Sequence, residues 1–144
     1  MQGRSLFGWQ SWDLGALALR IPLGLIMFLH GAQKVFGALG GPGPAGFTEM
    51  VGTIGFQPAA VWAWLAMIAE LGGGLLIILG AATEVGALLF AINMLVAIWR
   101  VHWANGFFNN AGGVEFPLIL LAAAVALILG GPGRYAVWNP FRRE

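Results

Sequence analysis

At 144 residues the chain has room for one domain. Hydrophobic residues make up 59% of it and charged residues only 9%, with a mean hydropathy of +0.82. A soluble domain needs more polar surface than this, and disorder needs the reverse balance, despite 23 glycines and 7 prolines. The net charge of +1, with no basic stripe, cannot neutralise nucleic-acid phosphates. The lack of cysteine removes disulfides, thiolate nucleophiles and Cys-ligated metal or iron–sulfur centres.

The composition predicts an all-α integral membrane protein, a four-helix transmembrane bundle embedded in the lipid bilayer. A spanning helix needs about 20 mostly apolar residues, because each rises about 1.5 Å through a hydrocarbon core of about 30 Å. The first 13 residues hold no apolar run long enough for a cleaved signal peptide, so the first span is expected to act as an uncleaved signal-anchor. That span is predicted at about 14–36, with Asp13 as N-cap and Pro22 kinking it or loosening one backbone bond. The long loop that follows carries Phe47, Met50, Val51 and Ile54 at i, i+3, i+4 and i+7, the stripe of a short amphipathic helix. This helix is expected to cap the bundle, to lie in the outer interface or to cover a site as a lid.

The second span is predicted at about 58–80, with Pro58 in its first turn, and the tight turn Ala81-Ala82-Thr83-Glu84 leads to the third at about 85–104. The fourth, at about 115–130, opens on Glu115 and Pro117 and ends at Gly130-Gly131-Pro132-Gly133. Tryptophan prefers the membrane–water boundary, and Trp9, Trp12 and Trp138 form one belt, Trp62, Trp64, Trp99 and Trp103 another. Both termini then share a side, and Arg4, Arg134, Arg142 and Arg143 place it in the cytoplasm by the positive-inside rule. A weak internal repeat matches the twelve-residue stretch from His30 to that from His102, sharing the histidine, an alanine, an amide, a phenylalanine and paired glycines.

Ionisable groups inside a span cost about 2.5–3.5 kcal/mol each on insertion scales, so they face the bundle interior and mark function. Arg20 is expected to snorkel to the inner interface. On the first helix Gly24, Met27, His30, Gly31 and Lys34 form one stripe, beside Gln33. On the second, Ala63, Ala66, Gly73 and Gly74 share a face with Glu70, whose mid-span carboxylate must be paired, protonated or hydrated. His30 and Lys34 are its expected partners. On the third, Asn93, Ala97 and Arg100 align, while His102 lies about 200° from Arg100, so one points elsewhere or the helix end unwinds.

Lys34 and Arg100 supply cations, Glu70 and Glu115 carboxylates, and His30 and His102 titratable rings. Such a mix suits a pocket in the outer half of the bundle that binds an anion or a quinone carbonyl and moves protons. The residues also have structural readings: Glu115 as a helix-start carboxylate, Gln33 and Asn93 as interhelical hydrogen bonds, Arg100 and His102 as headgroup contacts. No tight metal motif such as His-Glu-x-x-His is present, and no metal site is expected from His30, His102, Glu70 and Glu115.

The segments Leu19-Arg20-Ile21-Pro22-Leu23-Gly24, His30-Gly31-Ala32-Gln33-Lys34 and Glu70-Leu71-Gly72-Gly73-Gly74 form a recognisable pattern. It continues through Val101-His102-Trp103-Ala104-Asn105-Gly106-Phe107-Phe108, Gly112-Gly113-Val114-Glu115-Phe116 and Gly131-Pro132-Gly133. In these the chain resembles the DoxX family, including its DoxD-like members, over nearly its whole length. The resemblance implies four transmembrane helices and membership of a membrane oxidoreductase complex of the bacterial inner membrane, of thiosulfate:quinone type in the DoxD branch. One departure is Glu84 after Thr83, where the family commonly carries a basic residue.

The leading expectation is therefore a subunit of a quinone-linked oxidoreductase. Glu70, His30 and His102 would handle protons, and Lys34, Arg100, Gln33, Asn105 and Glu115 would hold the quinone or a small anion. The sequence carries no haem, flavin or iron–sulfur motif, so electrons must pass directly between substrate and quinone, or another redox subunit must supply the centre. The alternatives are a non-catalytic accessory or assembly subunit, docking by its apolar exterior on a larger membrane complex, and a small-solute or proton pathway. Self-association into a homo-oligomer is compatible with the same exterior.

Overall fold

The computed structural model describes residues 11–141, and among them the only regular elements are helices. In chain order these are α1 (Trp12–Phe36), α2 (Gly43–Thr53), α3 (Ala59–Leu79), α4 (Thr83–Ala97) and α5 (Glu115–Gly130). Beyond Ala97 the chain widens into a π turn over Ile98–His102 and then tightens into a 3-10 turn over Trp103–Asn105. Trp12–Phe36, Ala59–Leu79 and Thr83–Asn105 are each long and apolar enough to cross a membrane, and α5 is a shorter apolar helix of 16 residues. Their lipid-ready surfaces follow from composition: Leu25, Leu65, Ile68, Leu88, Ile92, Leu95 and Ile119 all stand exposed. The surface chemistry is that of an integral membrane protein.

Small residues decide how the helices meet. A Cβ on Gly31 would stand 2.5 Å from the Leu71 backbone nitrogen, and one on Gly74 2.5 Å from that of Phe28, so α1 and α3 touch backbone to backbone. Gly73 and Gly86 do the same for α3 and α4. Without a hydrophobic driving force between helices in lipid, such close approach supplies the van der Waals contact that holds them. Helix α4 in turn packs on α5, and α5 returns to α1. Between them lies a core of Leu23, Met27, Ile77, Phe90, Ala124 and Leu127.

The amphipathic stripe expected in the first loop forms α2, with Phe47 and Val51 buried against Ala63 and Met67 of α3. This helix is therefore a packed cap; Met50, on the same stripe, stays exposed. Both ends of the described chain meet at the opposite end. There the Trp12 indole donates to the Gly131 carbonyl at 3.1 Å, and the Arg134 backbone N–H donates to Asp13 Oδ1 at 2.9 Å. Residues 131–138 strap across this end: Val137 and Trp138 donate to the Leu79 and Gly80 carbonyls, and Ala82 donates back to Trp138.

Two expectations are corrected. The N-cap of α1 is Ser11, whose hydroxyl accepts from the Asp13 N–H at 3.2 Å; Asp13 itself sits in the first turn and holds the strap. Arg20 does not snorkel: it is 1% exposed and spans the bundle interior. Its Nε, Nη1 and Nη2 donate to the carbonyls of Ile77, Pro132 and Ile78 at 3.0, 2.9 and 3.0 Å. Two of those carbonyls belong to the last turn of α3, the negative end of the helix dipole, where Ile77 also receives the Gly80 N–H, so the guanidinium caps α3 and fastens the strap at once. Gly80 makes this approach possible, with φ of 71° and Arg20 packed where a side chain would stand. Helix α1 runs unbroken through Pro22, which leaves one carbonyl without its donor, the looser of the two effects expected of it. Arg4, Trp9, Arg142 and Arg143, used in the orientation argument, lie outside the described residues.

Candidate functional site

The close glycine contacts between α1, α3 and α4 cluster towards the strap end and the middle of the bundle. The helices also line a cavity of about 570 Å³, within the range of small-molecule sites. Its walls are mostly apolar, drawn from Ile26 of α1, Val51 of α2, Leu65 of α3, Phe90 and Val96 of α4 and Phe116 of α5. Six polar side chains interrupt that lining: His30, Lys34, Glu70, Asn93, His102 and Asn109.

Glu70 is the focus. It is 3% exposed, on the small-residue face of α3 that the sequence assigned to the interior. One of its oxygens, Oε1, accepts from Lys34 Nζ at 2.5 Å and from Asn93 Nδ2 at 2.5 Å, tying α1, α3 and α4 at one point. The other, Oε2, is buried with no hydrogen-bond partner among the described residues. A buried acceptor left over in this way costs about 1–3 kcal/mol unless something reaches it. The Lys34 ammonium also lies over the Phe47 ring, 4.5 Å from its centroid, so the charge at the cavity floor is in contact with the α2 cap.

The two histidines line the same cavity by different routes. His30 is exposed at its edge, with Nδ1 2.8 Å from the Ile26 carbonyl one turn back. His102 is half-buried, with Nδ1 2.7 Å from the Gly112 carbonyl. The expected conflict between Arg100 and His102 is resolved by the π turn, which breaks the 100° progression and lets His102 reach the lining. His30 does not bond Glu70; Lys34 and Asn93 hold that carboxylate instead.

Four residues expected to bind a ligand lie off the cavity lining. Arg100 is exposed and donates through both Nε, at 3.1 Å, and Nη2 to the Ile54 carbonyl, where it latches the end of α2. Gln33 packs against Gly41, where the loop folds back on the end of α1. Asn105 donates to the Val101 and Gly112 carbonyls at 3.3 and 3.2 Å, bracing the turn that also holds His102. Glu115 opens α5 and its Oε2 accepts from the Asn109 N–H at 2.9 Å, the helix-start role its position favours. Among the described residues no group of three or more His, Asp or Glu gathers to hold a metal ion.

Two contributions escaped the sequence reading: the direct Asn93–Glu70 bond and the Phe47 ring over Lys34. The inward face of α4 and the apolar stripe of α2 were both legible, but neither says which residue of another helix is met.

Comparison with known proteins places this architecture. The DoxX family profile matches residues 15–103, which include Glu70, Lys34, Asn93 and both histidines. The chain is 33% identical to "Putative oxidoreductase CatD" of Bacillus subtilis (strain 168), over 92% of this chain and 90% of that one. It is 29% identical to an uncharacterized protein of Haemophilus influenzae (strain ATCC 51907 / DSM 11121 / KW20 / Rd), over 88% and 90%. No solved structure matches it significantly. The chain belongs to the DoxX family of membrane proteins.

Proposed function

We propose that the protein is a membrane subunit of a quinone-linked oxidoreductase and that its quinone enters the cavity walled by α1, α3, α4 and α5. The observation that carries this reading is the Glu70–Lys34–Asn93 cluster in the lining of a largely apolar cavity. A lipid-soluble ring fits apolar walls, and a two-electron quinone couple needs polar groups that hold and move protons. Glu70 is placed to exchange a proton through its unpaired Oε2, with Lys34 keeping the pair electrically neutral. His30 and His102 are the second set of proton-handling groups. The oxidoreductase description of the Bacillus relative supports the class of reaction.

In this reading the chain crosses the bacterial inner membrane four times as a bundle with both ends cytoplasmic, α5 being the fourth span. The meeting of Trp12 with Gly131 at one end, and the exposed Trp62, Trp99 and Trp103 towards the other, support two interfacial belts. The cavity then lies in the outer half. A thiosulfate-type anion would have to meet its cation near Lys34, because Arg100 is engaged by Ile54. A partner subunit is expected to supply any electron relay, since the chain has no cysteine.

The test is quinone reduction by the purified protein or its complex, compared with Glu70→Gln and His30→Ala. Lost activity in Glu70→Gln is expected; equal rates in all three remove the assigned site. A second reading, an accessory subunit without catalysis, is favoured by the full use of Oε1 by Lys34 and Asn93. It predicts co-purification with a stoichiometric redox complex whose activity is indifferent to Glu70.

A further inference from the structure

The polar groups of the cavity can be sorted by whether their free valence gives or takes a hydrogen. The Ile26 and Gly112 carbonyls can only accept, so Nδ1 of His30 and Nδ1 of His102 both carry a hydrogen. In the neutral form of such a tautomer the remaining nitrogen, Nε2, is an acceptor. Asn93 is fixed in the same way: a carboxylate takes hydrogens, so the amide nitrogen faces Glu70 Oε1 and Oδ1 is left as the free acceptor. Glu70 Oε2 is a fourth acceptor, buried and unpartnered among the described residues. Against these four stand fewer donor groups: the Lys34 ammonium, already engaged by Glu70 Oε1 and the Phe47 face, the second N–H of Asn93 Nδ2, and the Asn109 amide at the cavity wall, which carries both a donor and an acceptor.

We propose that the cavity selects a lipophilic hydroxyl donor, so that its preferred ligand is the dihydroxyarene (quinol) form and not the quinone. This rests on the quinone-linked reading above and adds the direction of its binding preference. A quinone brings two carbonyl acceptors to a lining in which acceptors predominate, and each meeting with His30 Nε2, His102 Nε2, the Asn93 oxygen or Glu70 Oε2 leaves both groups unpaired. A quinol brings two O–H donors, each able to satisfy an imidazole nitrogen, the Asn93 oxygen or Glu70 Oε2. Discrimination of this kind is strong, because a site built to accept a hydrogen bond is penalised when the donor is missing.

The experiment titrates the purified full-length chain in nanodiscs with three probes under anaerobic conditions, read by calorimetry. The probes are a decyl-substituted benzoquinol, the matching benzoquinone and the dimethyl ether of the quinol. The quinol is expected to bind at least about tenfold more tightly than the other two, the difference one or two charge-free hydrogen bonds make. His30→Ala and His102→Ala are each expected to weaken quinol binding by about three- to tenfold while leaving the quinone where it was. The wild-type ranking does not depend on any variant folding. Equal affinities, or a tighter quinone, overturn the inference while leaving the cavity as a quinone site. Failure of all three probes to bind removes that site as well.

Discussion

Replacing Arg20 offers the sharpest stability prediction. Three carbonyls, those of Ile77, Ile78 and Pro132, have its guanidinium as partner at 2.9–3.0 Å, in a residue 1% exposed. A hydrogen bond to a charged group contributes about 1.5–3 kcal/mol, and a buried acceptor left bare costs about 1–3 kcal/mol. The Ile77 carbonyl keeps the Gly80 N–H, so Arg20→Met leaves those of Ile78 and Pro132 bare; with the desolvation of the arginine offsetting part of the loss, it is expected to destabilise by about 2–4 kcal/mol. Arg20→Lys keeps the charge but loses the planar fork that reaches three carbonyls on two segments, and should retain only part of the stability. Thermal unfolding in detergent measures the total. Limited proteolysis between residues 131 and 138 reads the local effect, because Pro132 is the strap's buried anchor to Arg20. An Arg20→Met protein with wild-type stability and an equally protected strap would refute the reasoning.

Further outcomes follow from the same contacts. Lys34→Met leaves Glu70 buried without its cation and is expected to cost about 2–4 kcal/mol, discounted for the partial exposure of Lys34. Adding Glu70→Gln should recover much of that loss in a double-mutant cycle of unfolding free energies, whereas additive losses would deny the coupling. Gly31→Ala and Gly74→Ala force a Cβ into a facing backbone and should destabilise by about 1–3 kcal/mol; Gly72→Ala, which meets nothing within 4 Å, should be neutral in the same denaturation assay. Arg100→Ala removes the latch on the Ile54 carbonyl, and hydrogen exchange should rise by about tenfold or more at Gly55 and Phe56 without a change in α1. Unchanged exchange there would show that α2 packing alone holds the cap.

Much of the architecture was legible because lipid constrains sequence so strongly. Apolar length set the helices to within a few residues, and the small-residue face of α3 placed Glu70 inward. Position along a helix proved a poorer guide than face for Arg20. Its place near the start of α1 suggested the interface, yet it shares a stripe with Gly24, Met27, Gly31 and Lys34 at i+4, i+7, i+11 and i+14. Its partners come from 57, 58 and 112 residues away, which no local pattern discloses. The π turn after Ala97 is a second case: ideal helical geometry correctly flagged that Arg100 and His102 could not both face inward, but not which would leave. Glu84, unexpected beside Thr83, has a local explanation, since it lies in the first turn of α4 where the helix dipole favours a carboxylate.

The central claim is that a membrane-soluble redox ligand sits against Glu70 inside the bundle. Photo-crosslinking with an azido-quinone in native membranes, followed by peptide mapping, tests it most directly. Label is expected on the cavity segments 26–34, 62–70 and 89–102, displaced by excess unlabelled quinol and diminished in Glu70→Gln. Label spread over the outward faces at Leu25, Ile68 and Leu88, undisplaced by quinol and indifferent to Glu70, would contradict the account.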